Sequence, residues 1–286
     1  MTHPAQSASW FAIGGSIWTS HYLHRLGLLA AIGVGAWVAP VHADPLDLSR
    51  YVLTFEDTFR TLDVSAHGPG TRWIAHTPWG GDFGDARFED PGASGPFAAT
   101  PDGLTITAHK DADGKWHSGL LSSRDRDGPQ GQGFAQRYGY FEIRTRLPTG
   151  AGTWPAFWLI GVDKSVSASE IDVIEYYGKF SDCFHSVTTV WQTGNDRAQN
   201  HLTMVPKGSL TDKFNTFGVL IDPRLTHFYL NREEVWNTAT PPEYRQPMYM
   251  LVDLALGGGW PIADLQSPTV MAIEYIKVWR DLALRD

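Results

Sequence analysis

Apolar and polar residues alternate along this chain in short runs, each closed within a few positions by glycine, proline, asparagine or aspartate. Residues 53–59, 103–108, 118–123 and 139–147 fit the two-residue period of a half-buried strand. In 139–147 the alternation sends Tyr140, Glu142, Arg144 and Arg146 to one face, and Phe141, Ile143, Thr145 and Leu147 to the other. Further runs at 185–191, 214–221, 225–230, 234–236, 248–255 and 271–279 continue the series, with Asn231-Arg232 turning one hairpin. No long helical period follows residue 43, and there is no internal repeat or linker. Many short strands with Gly/Pro turns predict an all-β sandwich or barrel. Residues 63–96 break the pattern, being crowded with glycine, proline, aspartate and aromatics around Trp79, Asp82 and Phe83. A long irregular segment in a small domain is usually functional.

One run alternates and then fails to. Residues 169–178 read Ser-Glu-Ile-Asp-Val-Ile-Glu-Tyr-Tyr-Gly. Strict alternation puts Glu170 and Asp172 on one face and Ile171 and Val173 on the other, then sends Ile174 out and Glu175 into the core. A charged side chain in an apolar layer is costly. One extra residue, a β-bulge between Asp172 and Glu175, returns Glu175 to the face of the other acids. The Cα atoms of Glu170 and Glu175 would then lie roughly 13 Å apart, a gap that two long side chains can largely close. Three carboxylates on one strand face repel one another. An acidic solvent-facing edge is one reading; the paired carboxyl groups of glycoside hydrolysis are the other, about 5–5.5 Å apart when one of them is a nucleophile.

Composition narrows the partners. The formal net charge of −8, without a long basic run, argues against nucleic acid and anionic membrane, and favours a neutral or weakly charged substrate unless a local basic patch overrides it. A single cysteine, Cys183, excludes an internal disulfide framework and reads as a small buried apolar residue. Residues 26–39 form an uncharged apolar run, too short to span a bilayer comfortably and preceded by His21, His24 and Arg25. With Val41-His42-Ala43 as a small-residue cleavage site, 1–43 reads as a signal peptide and 44–286 as one catalytic domain of a secreted or periplasmic protein. No phosphate-cradling glycine loop and no zinc-type histidine spacing is present.

The succession 139–148, Gly152-Thr-Trp-Pro-Ala-Phe-Trp-Leu-Ile160 and Glu170-Ile-Asp-Val-Ile-Glu175 closely resembles glycoside hydrolase family 16, whose bulged signature is Glu-x-Asp-x-x-Glu. The resemblance covers roughly residues 50–281. It implies a two-sheet antiparallel jelly roll of concanavalin A-like type, with the substrate cleft on the concave face. It implies a retaining endo-β-glycanase acting on β-1,3- or mixed β-1,3/1,4-glucan by double displacement, with Glu170 as nucleophile, Glu175 as acid/base and Asp172 holding Glu170. The loop 79–85 is similar to that of members trimming bacterial exopolysaccharides. By the same pattern Trp154 and Trp158 flank the cleaved bond, and Trp260 stands on a glycine-rich loop bordering the cleft. Trp79 and Asp82 fit its glycone side, and His185 is either a substrate or acid contact or a structural residue. No cofactor is required. A structural calcium ion is common in the family, but the expected aspartate is Glu274 here, so the metal is unknown. The partner is a polysaccharide met by a monomer. A non-catalytic carbohydrate-binding protein and a transglycosylase are the alternatives on the same scaffold.

Overall fold

The structure is a computed structural model, and it describes residues 46–128 and 132–284. The apolar run 26–39 and the cleavage site at Ala43 lie outside the described residues. Two sheets stack face to face, as the two-residue period requires. Among the described residues one has ten strands and the other eight. The larger sheet contains Tyr51–Asp57, Gly103–Lys110, Gly139–Arg146, Asn215–Ile221, Leu225–Leu230, Glu233–Ala239 and Thr269–Asp281. The smaller runs Arg197–Met204, Cys183–Trp191, Ala168–Glu175, Thr153–Gly161, Met248–Leu256 and Leu120–Ser122, and continues into two short edge strands. Pairing is antiparallel apart from two short contacts, Val64–Ser65 with Trp73–Ile74 and Arg87–Phe88 with Trp116–Ser118.

The core lies between the sheets. Phe141, Ile143, Phe217 and Ile276 enter it from the larger sheet, and Phe157, Leu159, Ile171 and Phe184 from the smaller. Phe184 meets Phe217 edge to face at 5.3 Å and joins the two layers. Cys183 is a buried free thiol. The irregular segment contributes Val64–Ser65, Trp73–Ile74 and Arg87–Phe88, pairs too short to show a period in sequence.

Each sheet also covers part of its outer face. On the larger sheet Tyr140, Leu220 and Tyr229 pack beneath Leu46, Leu48, Tyr51 and Trp279. Beside them Glu142, fully buried, accepts from Arg232 Nε and Nη2, each at 3.0 Å, and from the hydroxyls of Tyr140 at 2.8 Å and Tyr275 at 3.0 Å. On the smaller sheet Trp158, Ile160, Tyr249, Leu251 and Ala255 form a second cluster capped by Phe83 and Phe88 of the irregular segment. That segment is fastened by Asp85 N–H donating to Leu256 O at 2.8 Å. The capped outer face is where the acids emerge.

Candidate active site

The bulge lies where the pattern requires it. Between Thr153–Gly161 and Ala168–Glu175, Trp158 pairs with Asp172 and Phe157 with Ile174, which leaves Val173 without a partner. On the other side Asp172 pairs with Val187 and Glu175 with His185, so two residues oppose one. Ile171, Val173 and Ile174 therefore all enter the inter-sheet core. Glu170, Asp172 and Glu175 are half-buried on the opposite face, beside Ile160, Trp158 and Ala156. Gly178 lets the chain turn away just beyond, since a Cβ there would collide with Thr153 Oγ1 and Gly150 O.

Each glutamate has one oxygen anchored and the other without a hydrogen-bond partner among the described residues. Trp191 Nε1 donates to Glu170 Oε2 at 2.7 Å. Trp154 Nε1 and Tyr177 OH both donate to Glu175 Oε1, at 2.9 and 2.7 Å. The rings of Trp154 and Tyr177 stack 6.1 Å apart. Gly258, at φ +59°, is tight against both, for an added Cβ would come within 2.8 Å of each ring. A fourth carboxylate, Asp253, accepts from Trp158 Nε1 at 2.8 Å and from Ala255 N–H at 3.0 Å, which fixes the Trp158 indole beside Asp172.

Gathering Glu170, Asp172 and Asp253 out of water raises their proton affinity. Burial, with the charge of Glu175 added, pushes Glu170 up to about 7, while the Trp191 hydrogen bond and the Lys164 charge pull it down. Burial and three neighbouring carboxylates hold Asp172 well above its ordinary range. Burial also raises Asp253 to about 7, against the two hydrogen bonds it accepts.

The expected site residues separate into three groups. Glu170, Asp172, Glu175, Trp154 and Trp158 come together. Trp79, half exposed, stands edge-on to Trp158 with ring centroids 6.0 Å apart. His185 lies opposite Glu175, donates from Nδ1 to Asn200 Oδ1 at 2.8 Å, and meets Tyr177 edge to face. Two residues sit apart from the acids' hydrogen bonds: Asp82 faces His76 at 3.9 Å, and Trp260 packs edge-on against Phe180 at 5.0 Å. Glu170 takes its side-chain hydrogen bond from Trp191, not from Asp172 as expected. Sequence reasoning passed over Trp191, Tyr177 and Asp253. Of these Asp253 had a signal, a lone acid in the apolar run 248–256.

Glu274 stands where the resemblance expects an aspartate for calcium. Glu274 is taken by Arg144, whose Nε lies 2.6 Å from Oε2. Among the described residues no three His, Cys, Asp or Glu side chains are grouped to hold a metal.

The model of glycosyl hydrolases family 16 matches residues 98–277. An endo-1,3-1,4-β-glycanase of Rhizobium meliloti, ExsH, is 32% identical over 263 residues, covering 83% of this chain and 54% of the relative. A second from that organism, EglC, is 30% identical, covering 82% of this chain and 53% of its own length. The chain thus spans about half the length of these two relatives. The catalytic domain of an endo-1,3-β-glucanase (laminarinase) from Thermotoga petrophila superposes with a TM-score of 0.65 at 21% identity, covering 81% of this chain and 98% of that one. A laminarinase from Flavobacterium sp. UMI-01 gives 0.62 at 24% identity, covering 80% of this chain.

Proposed function

The chain belongs to glycosyl hydrolases family 16, and from that premise we propose that it is a retaining endo-β-glycanase cutting β-1,3- or mixed β-1,3/1,4-linked glucan, or an exopolysaccharide containing such bonds. One observation carries the reading: Glu170 and Glu175 share a face, each with one oxygen held and the other without a hydrogen-bond partner among the described residues. In the first step that second oxygen of Glu170 attacks the anomeric carbon as Glu175 passes its proton to the departing glycosidic oxygen. This leaves a glycosyl ester on Glu170 and a shortened chain with a new hydroxyl. In the second step Glu175, now a base, takes a proton from water, whose oxygen attacks the same carbon and releases Glu170. Trp154 and Tyr177 steady the carboxyl group that changes role. Beside the attacking group, burial and the neighbouring carboxylates make the nearby Asp172 hold its proton more tightly than a free carboxyl group does.

Endo cleavage has a plain test. Incubation with laminarin, lichenan and a bacterial exopolysaccharide should lower the mean chain length of at least one in size-exclusion chromatography before free glucose accumulates. Glucose released first, with long chains intact, or no cleavage of any of them, would contradict the proposal.

The site also fixes the direction of a pH effect. Glu170 must be ionised to attack, and burial raises its pKa to about 7. Turnover at limiting substrate should therefore decline as pH falls through that value. Because the Trp191 hydrogen bond favours the ionised form, Trp191→Phe should move this acid limb to higher pH. The kcat/KM profile of the variant checks it; a limb unmoved or displaced to lower pH would remove Trp191 from this role.

A further inference from the structure

At the Glu170 end of the same face, two cations stand outside the ion pairs of the described residues, Lys164 feeling the Glu170 charge and Arg124 acting on Asp125 only at longer range. Lys164 follows Thr153–Gly161, and its Nζ lies 4.0 Å from the Trp79 ring centroid and 5.8 Å from that of Tyr249. Arg124 follows Leu120–Ser122, with Cζ 5.9 Å from the centroid of the same Tyr249 ring. Tyr249 pairs with Ile160, and Ile160 with Glu170, so the Tyr249 ring sits two strands across from the attacking acid. The outer face of the other sheet is arranged differently: Arg144, Arg232 and Lys277 are each matched to a glutamate. In a chain of net charge −8, two cations outside any ion pair of the described residues at the face of the acids need an explanation. Aromatic rings hold the cations in place by cation–π attraction without neutralising them. Lys164 is exposed as a residue, yet the packing around its ammonium strips enough water to pull its pKa down to about 8, with Arg124 adding repulsion and Glu170 opposing both.

We propose that Lys164 and Arg124 form an anion-recognising subsite that takes a carboxylate or sulfate substituent on the bound glycan, with Trp79 as the platform for the sugar that carries it. The inference rests on the β-glycanase reading and narrows it to acidic or acid-substituted chains. An anionic group there gains charge-assisted hydrogen bonds from a lysine and a planar guanidinium, a combination that a neutral sugar cannot exploit. Trp79 is 51% exposed, which leaves its ring open to a pyranose. A competing role is that the cations serve only to keep Glu170 ionised. That role would weaken neutral and acidic substrates alike, so the discrimination between them separates the two.

Equilibrium binding tests the subsite without relying on turnover. Neutral β-1,3-glucopentaose is titrated by calorimetry into the Glu175→Gln protein. It is compared with pentaoses bearing one glucuronate at each position in turn, and with the matching 6-sulfates. At low salt the best anionic oligomer should bind about 5- to 10-fold tighter than the neutral one, as expected for a charge-assisted contact. Lys164→Gln and Arg124→Gln should each remove most of that advantage, as should added salt. The better of the carboxylate and sulfate series identifies the substituent. Equal binding of neutral and anionic oligomers overturns the subsite, as does a preference that survives both substitutions. In either case cleavage of neutral glucan by the unmodified chain would leave the β-glycanase reading standing. If no oligomer binds and no glucan is cleaved, both fall.

Discussion

Glu170→Gln and Glu175→Gln should each cut turnover of an unactivated polysaccharide by about 10³-fold or more, with the fold intact. General acid–base groups contribute ~10²–10⁴-fold, and removing a nucleophile costs at least as much. Neither side chain belongs to the inter-sheet core, which is filled from this strand by Ile171, Val173 and Ile174. Deleting one of several crowded carboxylates relieves repulsion, so the melting temperature should hold steady or rise. A dinitrophenyl β-glycoside then separates the two roles, because its leaving group needs no proton. Glu175→Gln should still form the glycosyl ester and show a burst of phenolate, whereas Glu170→Gln should show none. Wild-type turnover by Glu175→Gln on the polysaccharide would remove it from the acid/base role.

The second large effect is on stability. Glu142 is wholly buried and satisfies Arg232, Tyr140 and Tyr275 at once. Glu142→Ala leaves a guanidinium facing a cavity and strands the buried Tyr140 hydroxyl. Removing one partner of a buried ion pair costs ~3–5 kcal/mol. The lower end, about 3 kcal/mol, applies here because the Arg232 side chain is 39% exposed and can turn to water. For a domain of this size that is a fall of roughly 6–12 °C in Tm. Activity well below the transition should survive, since this network lies on the outer face of the other sheet. A calorimetric midpoint within about 2 °C of the parent would show the network to be dispensable.

The acidic strand was legible because its defect was legible. Glu175 and Ile174 occupy the wrong parity for a regular strand, and only an extra residue reconciles charge with burial. The partners of the acids were not, because they depend on register between strands. Trp191 reaches Glu170 because Ala168 pairs with Trp191, and Asp253 stands under Trp158 because it pairs with Ala156. No local pattern carries such pairings. Tyr177 stood only two residues past Glu175, but beyond the strand end, where alternation no longer tells which way a side chain points. The strand Arg197–Met204 escaped notice because it is a mostly exposed edge with no apolar face to betray its period. The first strand was expected at 53–59 but runs Tyr51–Asp57. Phe59 takes a positive φ of 52° and its N–H bonds Asp57 Oδ1, which closes the strand early. Such caps depend on side-chain geometry more than on hydrophobicity.

The double displacement through Glu170 is the centre of this account, and the anomeric configuration of the first product tests it most directly. Two carboxyl groups close enough for one to be a nucleophile leave no room for a water on the opposite side of the sugar, which inverting enzymes need and which sets their carboxyl groups about 6.5–9.5 Å apart. Proton NMR of a β-glucan digest, recorded in the first minutes before mutarotation, should show the β-anomeric signal rising first and the α signal following slowly. An initial α-anomer would contradict retention and, with it, the role of Glu170 as nucleophile.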